Sequence, residues 1–322
     1  MSIIGLLWRE YMIQEITNNG FRWVNIVKPT KEHMNALGKE FHFHELNLED
    51  CLSKIQTPKI DRYKDHIFII LHFPTIGQNK LPRSGQLAAF MGHDYLVTVH
   101  QGELKPLIEL FEQCRQSDKA RQEYMGKSAA YLFHSIVDIL ADDFLNVARK
   151  IIGNIEDIED IVFDRRTDAA DEISYIRREI TVLRRIAIPL RTILSEIIVK
   201  YIKRFSDQDL TDYFDDVNDH LNKVIETMEQ SKETIEIYKD TDFMHATNRS
   251  NRILAVLTII FTLTMPVTIL SSLYGMNVDI PALNQSDSLA FLGKHTTFIL
   301  IVSGSTAAAG IMLAYFRKVR WI

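Results

Sequence analysis

The 322-residue sequence has only two cysteines, Cys51 and Cys114, and this scarcity excludes several classes of protein. Two thiols are too few for a disulfide framework or for a thiolate cluster around a metal ion, so we expect both to be free and buried. A secretory signal is also missing, because the short apolar run Ile3–Trp8 is followed at once by Arg9 and Glu10. The N-terminus is therefore expected to remain in the cytoplasm.

Motifs of catalysis and nucleotide binding are missing as well. We find no paired catalytic carboxylates, nucleophile elbow or His-x-x-x-His helix, and we expect that the protein is not an enzyme. Gly126-Lys127-Ser128 lacks the first glycine of a phosphate-binding loop, so no nucleotide partner is expected. His42, His44 and Glu45, together with His33, are candidates for a zinc site, but His42 and His44 are only two residues apart and no further ligand is evident. We therefore interpret the histidines as core or loop residues.

The formal net charge is −5, with 37 Lys and Arg against 42 Asp and Glu, and it is unevenly distributed. Residues 248–322 carry six of the basic and two of the acidic side chains, which leaves 31 basic and 40 acidic residues in 1–247. An acidic soluble part argues against nucleic acid as a partner, and it suits a protein that handles cations.

Charged residues are absent from 253–273, and about 20 such residues cross the hydrocarbon core of a bilayer as a helix. A second span is predicted at 297–316, where small residues allow close helix packing. Arg and Lys residues precede the first span and follow the second, whereas Lys294 is the only basic side chain of the intervening loop 274–296. We therefore predict that 251–322 is a membrane domain in contact with lipid, with two spans of the cell membrane and both termini cytoplasmic.

One face of the first span carries polar and apolar side chains at helical spacing. This face comprises Asn251, Leu254, Thr258, Phe261, Met265, Thr268 and Ser272. The pattern is open to two interpretations. In an ordinary anchor helix the hydroxyl groups bond back to their own backbone carbonyls, whereas in an oligomer the same face would line a pore.

Residues 1–250 are predicted to form a cytoplasmic regulatory domain. Strand and helix patterns alternate over about 1–120, which indicates an α+β fold with a helix-covered β-sheet. Strands are predicted at 21–27, 66–73, 86–91 and 95–100, and helices at 30–40 and 47–54. A helical hairpin follows at about 127–205, with Pro189 as the expected position of a kink.

A helical pattern without glycine or proline begins near residue 207 and continues to Pro266, inside the first span. Its cytoplasmic part, about 207–250, is a very long stalk helix, and an unbroken helix to Leu273 would measure roughly 100 Å. Such a helix packs either within its own chain or against copies from neighbouring chains. A seven-residue repeat along it comprises Val217, Leu221, Val224, Met228, Ser231, Ile235 and Tyr238.

The tetrapeptide Tyr274-Gly275-Met276-Asn277, at the outer end of the first span, resembles the signature of the CorA family of divalent-cation channels. Met265-Pro266-Val267-Thr268 and the second span close to the C-terminus add to that resemblance. It implies a homopentamer in which the tetrapeptide forms the selectivity filter of a pore. An apolar constriction of that pore, able to close by dewetting, would be formed by Leu254, Leu257, Phe261 and Met265.

The resemblance implies passive uptake of Mg²⁺, and the spans contain no Asp or Glu that would bind the ion too tightly. The neutral oxygens of Asn277 and Thr268 would instead hydrogen-bond the hydrated ion. Two positions depart from the family pattern: Phe261 is larger than usual, and Pro281-Ala282-Leu283 lacks the glutamate that commonly follows the proline. Transport of Co²⁺, Ni²⁺ or Zn²⁺ in either direction stays open, as does a membrane-anchored metal sensor that does not conduct.

The segment 43–50, which ends in Leu-Glu-Asp, resembles a cytoplasmic segment of the same family. By that resemblance, Asp50 and Asp240 of a neighbouring subunit would bind cytoplasmic Mg²⁺ and hold the channel closed. Carboxylates brought together across an interface repel until a divalent cation neutralises them. A second regulatory Mg²⁺ site would use Glu49, Asp138 and Asp216.

Overall fold

The computed structural model describes residues 13–53, 56–77, 82–164, 167–206, 208–276 and 296–319. The chain divides into two compact units, Met1–Asp240 and Thr241–Ile322. The described strands are β1 (Ile13–Asn18), β2 (Phe21–Val27), β3 (Lys59–Arg62), β4 (Ile67–Ile76), β5 (Pro82–Met91) and β6 (Tyr95–His100). The described helices are α1 (Lys31–Phe41), α2 (Glu45–Leu52), α3 (Lys105–Gln116), α4 (Asp118–Met125), α5 (Ala129–Phe163), α6 (Ala170–Lys200), α7 (Ile202–Phe205), α8 (Thr211–Gly275) and α9 (Thr296–Lys318).

The first unit contains a six-stranded sheet with the order β1-β2-β6-β5-β4-β3, in which only β2 and β6 run parallel. One face of the sheet packs against α1 and α2, and the other face packs in one cluster with α3 to α7 and the first-unit part of α8. On that second face Trp23 lies edge-on to Phe111 and donates its indole N–H to the hydroxyl of Thr98 at 3.1 Å. The predicted helix-covered sheet is confirmed.

Most predicted strands and helices are present, and the sheet explains where their bounds differ. The strand predicted to stop before Pro74 continues to Ile76, and its partner begins at Pro82 instead of residue 86. Pro74 lies beyond Ile70, where the described pairing of β4 with β3 ends, so β4 has one described neighbour there, the edge position in which a proline is tolerated. The helix predicted at 47–54 begins at Glu45 and ends at Leu52.

Two strands were not predicted. β1 forms a hairpin with β2 through Asn19 and Gly20, which have φ of 49° and 88°. An Asn-Gly pair between two extended segments is a strong signal for this tight turn, because both central residues must adopt positive φ. β3 has only four residues, too few for a strand pattern to stand out.

The hairpin helices α5 and α6 lie close to their predicted bounds, and α6 continues through Pro189 without interruption. The seven-residue repeat of α8 is buried in the first unit against these helices. Arg184 of α6 pairs with Glu229 of α8, and Arg191 donates a hydrogen bond to Asn222 at 3.3 Å. The repeat therefore packs within its own chain.

Both cysteines are free and buried, as predicted. Burial raises the pKa of Cys51 well above its usual range and that of Cys114 to about 11. Each side chain is therefore a neutral thiol that packs as a small apolar group.

The second unit contains the C-terminal part of α8 and all of α9, and both helices are long and apolar enough to cross a membrane. Ile259 and Ser305 are the two buried side chains among its described residues. Most of the remaining apolar side chains are exposed in the single chain. Exposed apolar surface of this kind is expected where lipid or other subunits cover it.

Candidate ion pathway and cation site

The predicted pore face is an exposed stripe along the part of α8 that belongs to the second unit. Counted at the period of an α-helix, this stripe lies on the side of α8 opposite the buried Ile259. It is therefore available to face a symmetry axis. All of its predicted members, with the predicted pore-lining Leu257 beside them, are exposed in the single chain: Asn251, Leu254, Leu257, Thr258, Phe261, Met265, Thr268 and Ser272.

Hydroxyl groups on this stripe bond back to the helix. Thr258 donates to the carbonyl of Leu254 at 2.8 Å, and Thr268 donates to the carbonyl of Thr264 at 3.0 Å. This is the arrangement of an ordinary anchor helix. It also leaves both lone pairs of each hydroxyl oxygen free to accept a hydrogen bond, so it is compatible with a pore lining.

The apolar members of the stripe are strongly exposed, and Phe261 is 70% exposed, more than Leu254, Leu257 or Met265. The large ring therefore points away from its own chain. The tetrapeptide predicted as the filter begins at the end of α8, which terminates at Gly275, and Met276 follows with 55% exposure. Asn277 lies outside the described residues, as do the outer-loop residues 281–283.

A cluster of possible metal ligands lies in the first unit. Asp138 of α5 meets Asp216 and His220 of α8, with one ligand atom of each side chain within 4.8 Å of the others. The sequence predicted the two carboxylates as members of one site. His220 was missed, although its spacing of four residues from Asp216 places both on one helix face.

Further polar groups surround this cluster. Nδ1 of His220 lies 3.1 Å from Oδ1 of Asp142, at ion-pair distance but without hydrogen-bond geometry. A cleft of about 580 Å³ is lined by Asp138, Asp216, His134 and Tyr213, among others. Burial raises the pKa of Asp138, although the nearby imidazole of His134 opposes that rise. A carboxylate in such surroundings is stabilised by a cation.

The other predicted regulatory acids have separate surroundings within the chain. Asp50 pairs with Nζ of Lys59 at 2.7 Å, and the same ammonium group contacts Asp61 at 2.6 Å. Asp240 is 80% exposed and lies 3.9 Å from Nζ of Lys239. Glu49 is exposed on α2. Among the described residues, neither Asp50, Glu49 nor Asp240 belongs to a group of three metal-ligating side chains.

The motifs set aside in the sequence have structural roles. Ser128 caps α5 by accepting a hydrogen bond from the backbone N–H of Tyr131, and the ammonium group of Lys127 lies 3.7 Å from the centre of the Tyr131 ring. His33 and His44 accept hydrogen bonds from backbone N–H groups at the starts of α1 and α2. These side chains therefore act as helix caps.

The known proteins that this chain resembles are described as metal-ion transporters. A family model described as CorA-like Mg²⁺ transporter protein matches residues 18–318. The chain is 27% identical over 303 residues to the cobalt/magnesium transport protein CorA of Thermotoga maritima, an alignment that covers 93% of this chain and 83% of the relative. It is 28% identical over 259 residues to the putative metal ion transporter YfjQ of Bacillus subtilis, covering 80% and 78% of the two chains.

A solved structure has the same fold. The complete CorA magnesium transporter from Methanocaldococcus jannaschii matches with a TM-score of 0.77, at 18% identity, over 96% of this chain and 94% of the other. At this identity the match shows a shared architecture. It includes both the sheet-containing part and the two long C-terminal helices.

Proposed function

The chain belongs to the family of CorA-like Mg²⁺ transporter proteins, and on that premise we propose that it is a passive channel for Mg²⁺ uptake. In this proposal 251–322 form the membrane domain of a homopentamer in the cell membrane, and 1–250 form its cytoplasmic regulatory domain. Both termini are cytoplasmic. The observation that carries the proposal is the exposed stripe on α8, which has oxygen atoms at its polar positions and no carboxylate.

The chemistry of Mg²⁺ favours such a lining. The ion releases its coordinated water reluctantly, and a ring of carboxylates in a dry pore would hold it too tightly to pass. Coordinated water molecules donate hydrogen bonds, so the lining must accept them. The hydroxyl of Thr268, whose proton is used inside its own helix, is an acceptor of this kind. Asn277 would supply the corresponding ring of amide oxygens at the outer mouth.

The membrane potential is a sufficient driving force. Each elementary charge moved inward through 100 mV is worth about 2.3 kcal/mol, and a divalent ion gains about twice that. No nucleotide is needed. The apolar stripe positions Leu254, Leu257, Phe261 and Met265 form the gate in this proposal, which closes by excluding water.

Regulation by cytoplasmic Mg²⁺ belongs to the same proposal. Asp50 and Asp240 would meet across a subunit interface, and Glu49 of one subunit would join Asp138 and Asp216. Bound Mg²⁺ would offset the repulsion between these carboxylates and favour the closed state, so that a cell replete with Mg²⁺ closes the channel.

Purified protein in liposomes tests the channel directly. We expect Mg²⁺ influx, read by an internal fluorescent indicator, to rise when an inside-negative potential is imposed without any nucleotide. Binding of Mg²⁺ without flux at any potential would instead favour a membrane-anchored sensor. Competition by Co²⁺, Ni²⁺ and Zn²⁺ in the same assay ranks the transported ions, and loading the liposomes with each ion tests outward movement.

The regulatory proposal has its own test. Asp50→Asn or Asp240→Asn is expected to shift the Mg²⁺ concentration that halves influx, measured at the cytoplasmic side, upward by roughly tenfold, because each change removes a charged ligand. Asp61→Asn is the matched control, since it removes another carboxylate partner of Lys59. An unchanged dose response in both Asp50 and Asp240 variants would exclude this pair as the sensor.

A further inference from the structure

A cleft between the two hairpin helices, α5 and α6, has a volume of about 910 Å³. Protein sites for small organic molecules commonly measure roughly 300–1,000 Å³ and combine apolar walls with a few polar groups. We propose that this cleft binds a primary amine with an apolar body, whose ammonium group pairs with Glu179. The inference goes beyond the proposed function, because no predicted pore-lining or regulatory residue is among the described residues that line the cleft.

The walls of the cleft are largely apolar. Ile151 and Ile158 of α5 and Ile176 of α6 line it, and all three also belong to the core of the first unit. The end of β4 adds the exposed side chain of Ile76, and the ring of Tyr175, another lining residue, is 40% exposed. Because the removal of apolar surface from water is favourable, these walls suit a ligand with a hydrocarbon body.

One carboxyl group that lines the cleft, that of Glu179, is buried without a cation. The side-chain amide of Asn154 donates a hydrogen bond to it at 3.4 Å, and the hydroxyl of Tyr175 donates another. A carboxylate accepts about four hydrogen bonds, so positions remain for a further donor. No Lys, Arg or His of the described chain forms an ion pair with Glu179, and burial raises its pKa. A cation brought by a ligand would stabilise the charged form of this group.

The charges around the cleft favour a cation over an anion. Its exposed charged lining residues are Asp157, Asp171 and Glu172 against Lys150. An anionic ligand would therefore be repelled, whereas a cation would be attracted before contact. A metal ion fits less well, because it needs several converging ligand atoms, and among the described residues none of these acids belongs to a group of three metal-ligating side chains.

A primary amine combines the two properties that the cleft selects. Its ammonium group has three N–H donors and a positive charge, which complement the unfilled acceptor positions of Glu179. Its hydrocarbon body would pack on the isoleucine side chains of α5 and α6. Hydrogen bonds between charged partners are about twice as strong as neutral ones, so the pairing with Glu179 would select the amine over an uncharged molecule of the same shape.

Phenethylamine and phenylethanol are the probes, because they share one hydrocarbon body and differ in having an ammonium group or a hydroxyl. Each is titrated into the full-length protein in detergent at neutral pH and followed by calorimetry, with detergent alone as the blank. We expect the amine to bind about tenfold more tightly than the alcohol, since only the amine forms a charge-assisted hydrogen bond with Glu179. Equal affinities of the two probes for the unaltered protein would overturn the inference.

Glu179→Gln keeps the shape of the side chain and removes its charge. In this variant we expect the two affinities to differ by less than about twofold, because the amine loses its charged partner. Glu156→Gln removes an exposed carboxylate of α5 that does not line the cleft, and as the matched control it should keep the full preference for the amine. An unchanged preference in Glu179→Gln would also overturn the inference.

Gly153→Leu tests the position of the site and does not depend on Glu179→Gln being folded. Gly153 lines the cleft, and a Cβ added there meets no atom within 4 Å, so the new side chain would extend into open space. Leucine also favours a helix more than glycine does. We expect both probes to bind roughly tenfold more weakly, because the side chain occupies their volume. Unchanged binding of both would place the site elsewhere and contradict the proposal.

Discussion

A hydroxyl group in a membrane helix has one proton and two lone pairs, and Thr268 uses its proton within its own helix. The same is true of Thr262, which donates to the carbonyl of Thr258 at 2.7 Å. The two residues differ in position, because Thr268 lies on the exposed stripe and Thr262 lies off it. Substitutions at the two positions therefore distinguish a hydroxyl that lines a pore from one that only forms a hydrogen bond within its own helix.

Thr268→Val removes the hydroxyl with little change in shape. We expect Mg²⁺ influx into liposomes to fall by at least about fivefold, because the loss of a hydrogen bond worth roughly 1 kcal/mol slows a rate about fivefold and recurs in every subunit. Thr262→Val removes an equivalent hydroxyl and should leave influx within about twofold. Equal effects of the two substitutions would show that the stripe is not the ion pathway.

A buried carboxylate in the hairpin makes stability depend on pH. Glu179 of α6 is 6% exposed and accepts a hydrogen bond from Asn154 at 3.4 Å. Burial raises its pKa from the ordinary 4.5, so the folded state keeps a proton that the unfolded chain has already released. Its contribution to stability is therefore full below pH 4.5 and is lost as the pH rises through the folded pKa.

Glu179→Gln should remove this pH dependence. We expect the thermal midpoint of the full-length protein to fall less steeply between pH 4 and pH 7 in the variant than in the unaltered protein. Glu172→Gln, which removes an exposed carboxylate from the same helix, is the control. Parallel pH profiles for Glu179→Gln and the unaltered protein would show that Glu179 is not the source of this pH dependence.

Single residues also show what the sequence could and could not predict about the sites. The carboxylates Asp138 and Asp216 followed from a family resemblance, and the structure brings them together. His220 did not follow, because its spacing from Asp216 matters only once α5 is known to pack beside α8. The ion pair of Asp50 with Lys59 depends likewise on the pairing of strands and helices that no local pattern encodes.

At the scale of elements, the seven-residue repeat of α8 could be recognised without knowing which surface it packs against. The seven-residue period predicted a long helix with one apolar face, and the helix runs from Thr211 to Gly275. The period left open whether that face meets its own chain or another, because either surface would bury the same side chains. Contacts such as Arg184–Glu229, which join distant segments, decide in favour of the chain's own hairpin.

Truncation within this repeat should destabilise the first unit strongly. Leu221 is fully buried, so Leu221→Ala removes apolar contacts and leaves a cavity, with an expected loss of about 2–5 kcal/mol in the free energy of unfolding. Val199→Ala, at a side chain that is 81% exposed, is the control and should cost less than about 1 kcal/mol. Urea unfolding of the full-length protein, followed by circular dichroism, measures both. Similar losses for the two variants would mean that the repeat is not a core face.

At the scale of the whole molecule, the two apolar helices and the exposed stripe can form a pore only if several subunits assemble. Span positions could be predicted from the absence of charge, and the sheet from alternating patterns. The number of subunits has no local signal in the sequence, and the prediction of five rests on the family resemblance. We therefore expect that native mass spectrometry of the protein in lipid nanodiscs will show five subunits.

The central claim is that a ring of neutral oxygens passes hydrated Mg²⁺ at the outer mouth of a pentamer, and Asn277→Ala removes the amide from every subunit at once. Influx of Mg²⁺ into liposomes under an inside-negative potential is the direct measurement, made on protein shown to be pentameric before reconstitution. The account predicts that the variant assembles as the unaltered protein does and that its Mg²⁺ influx is lost. Influx at the unaltered rate in an intact pentamer would contradict it.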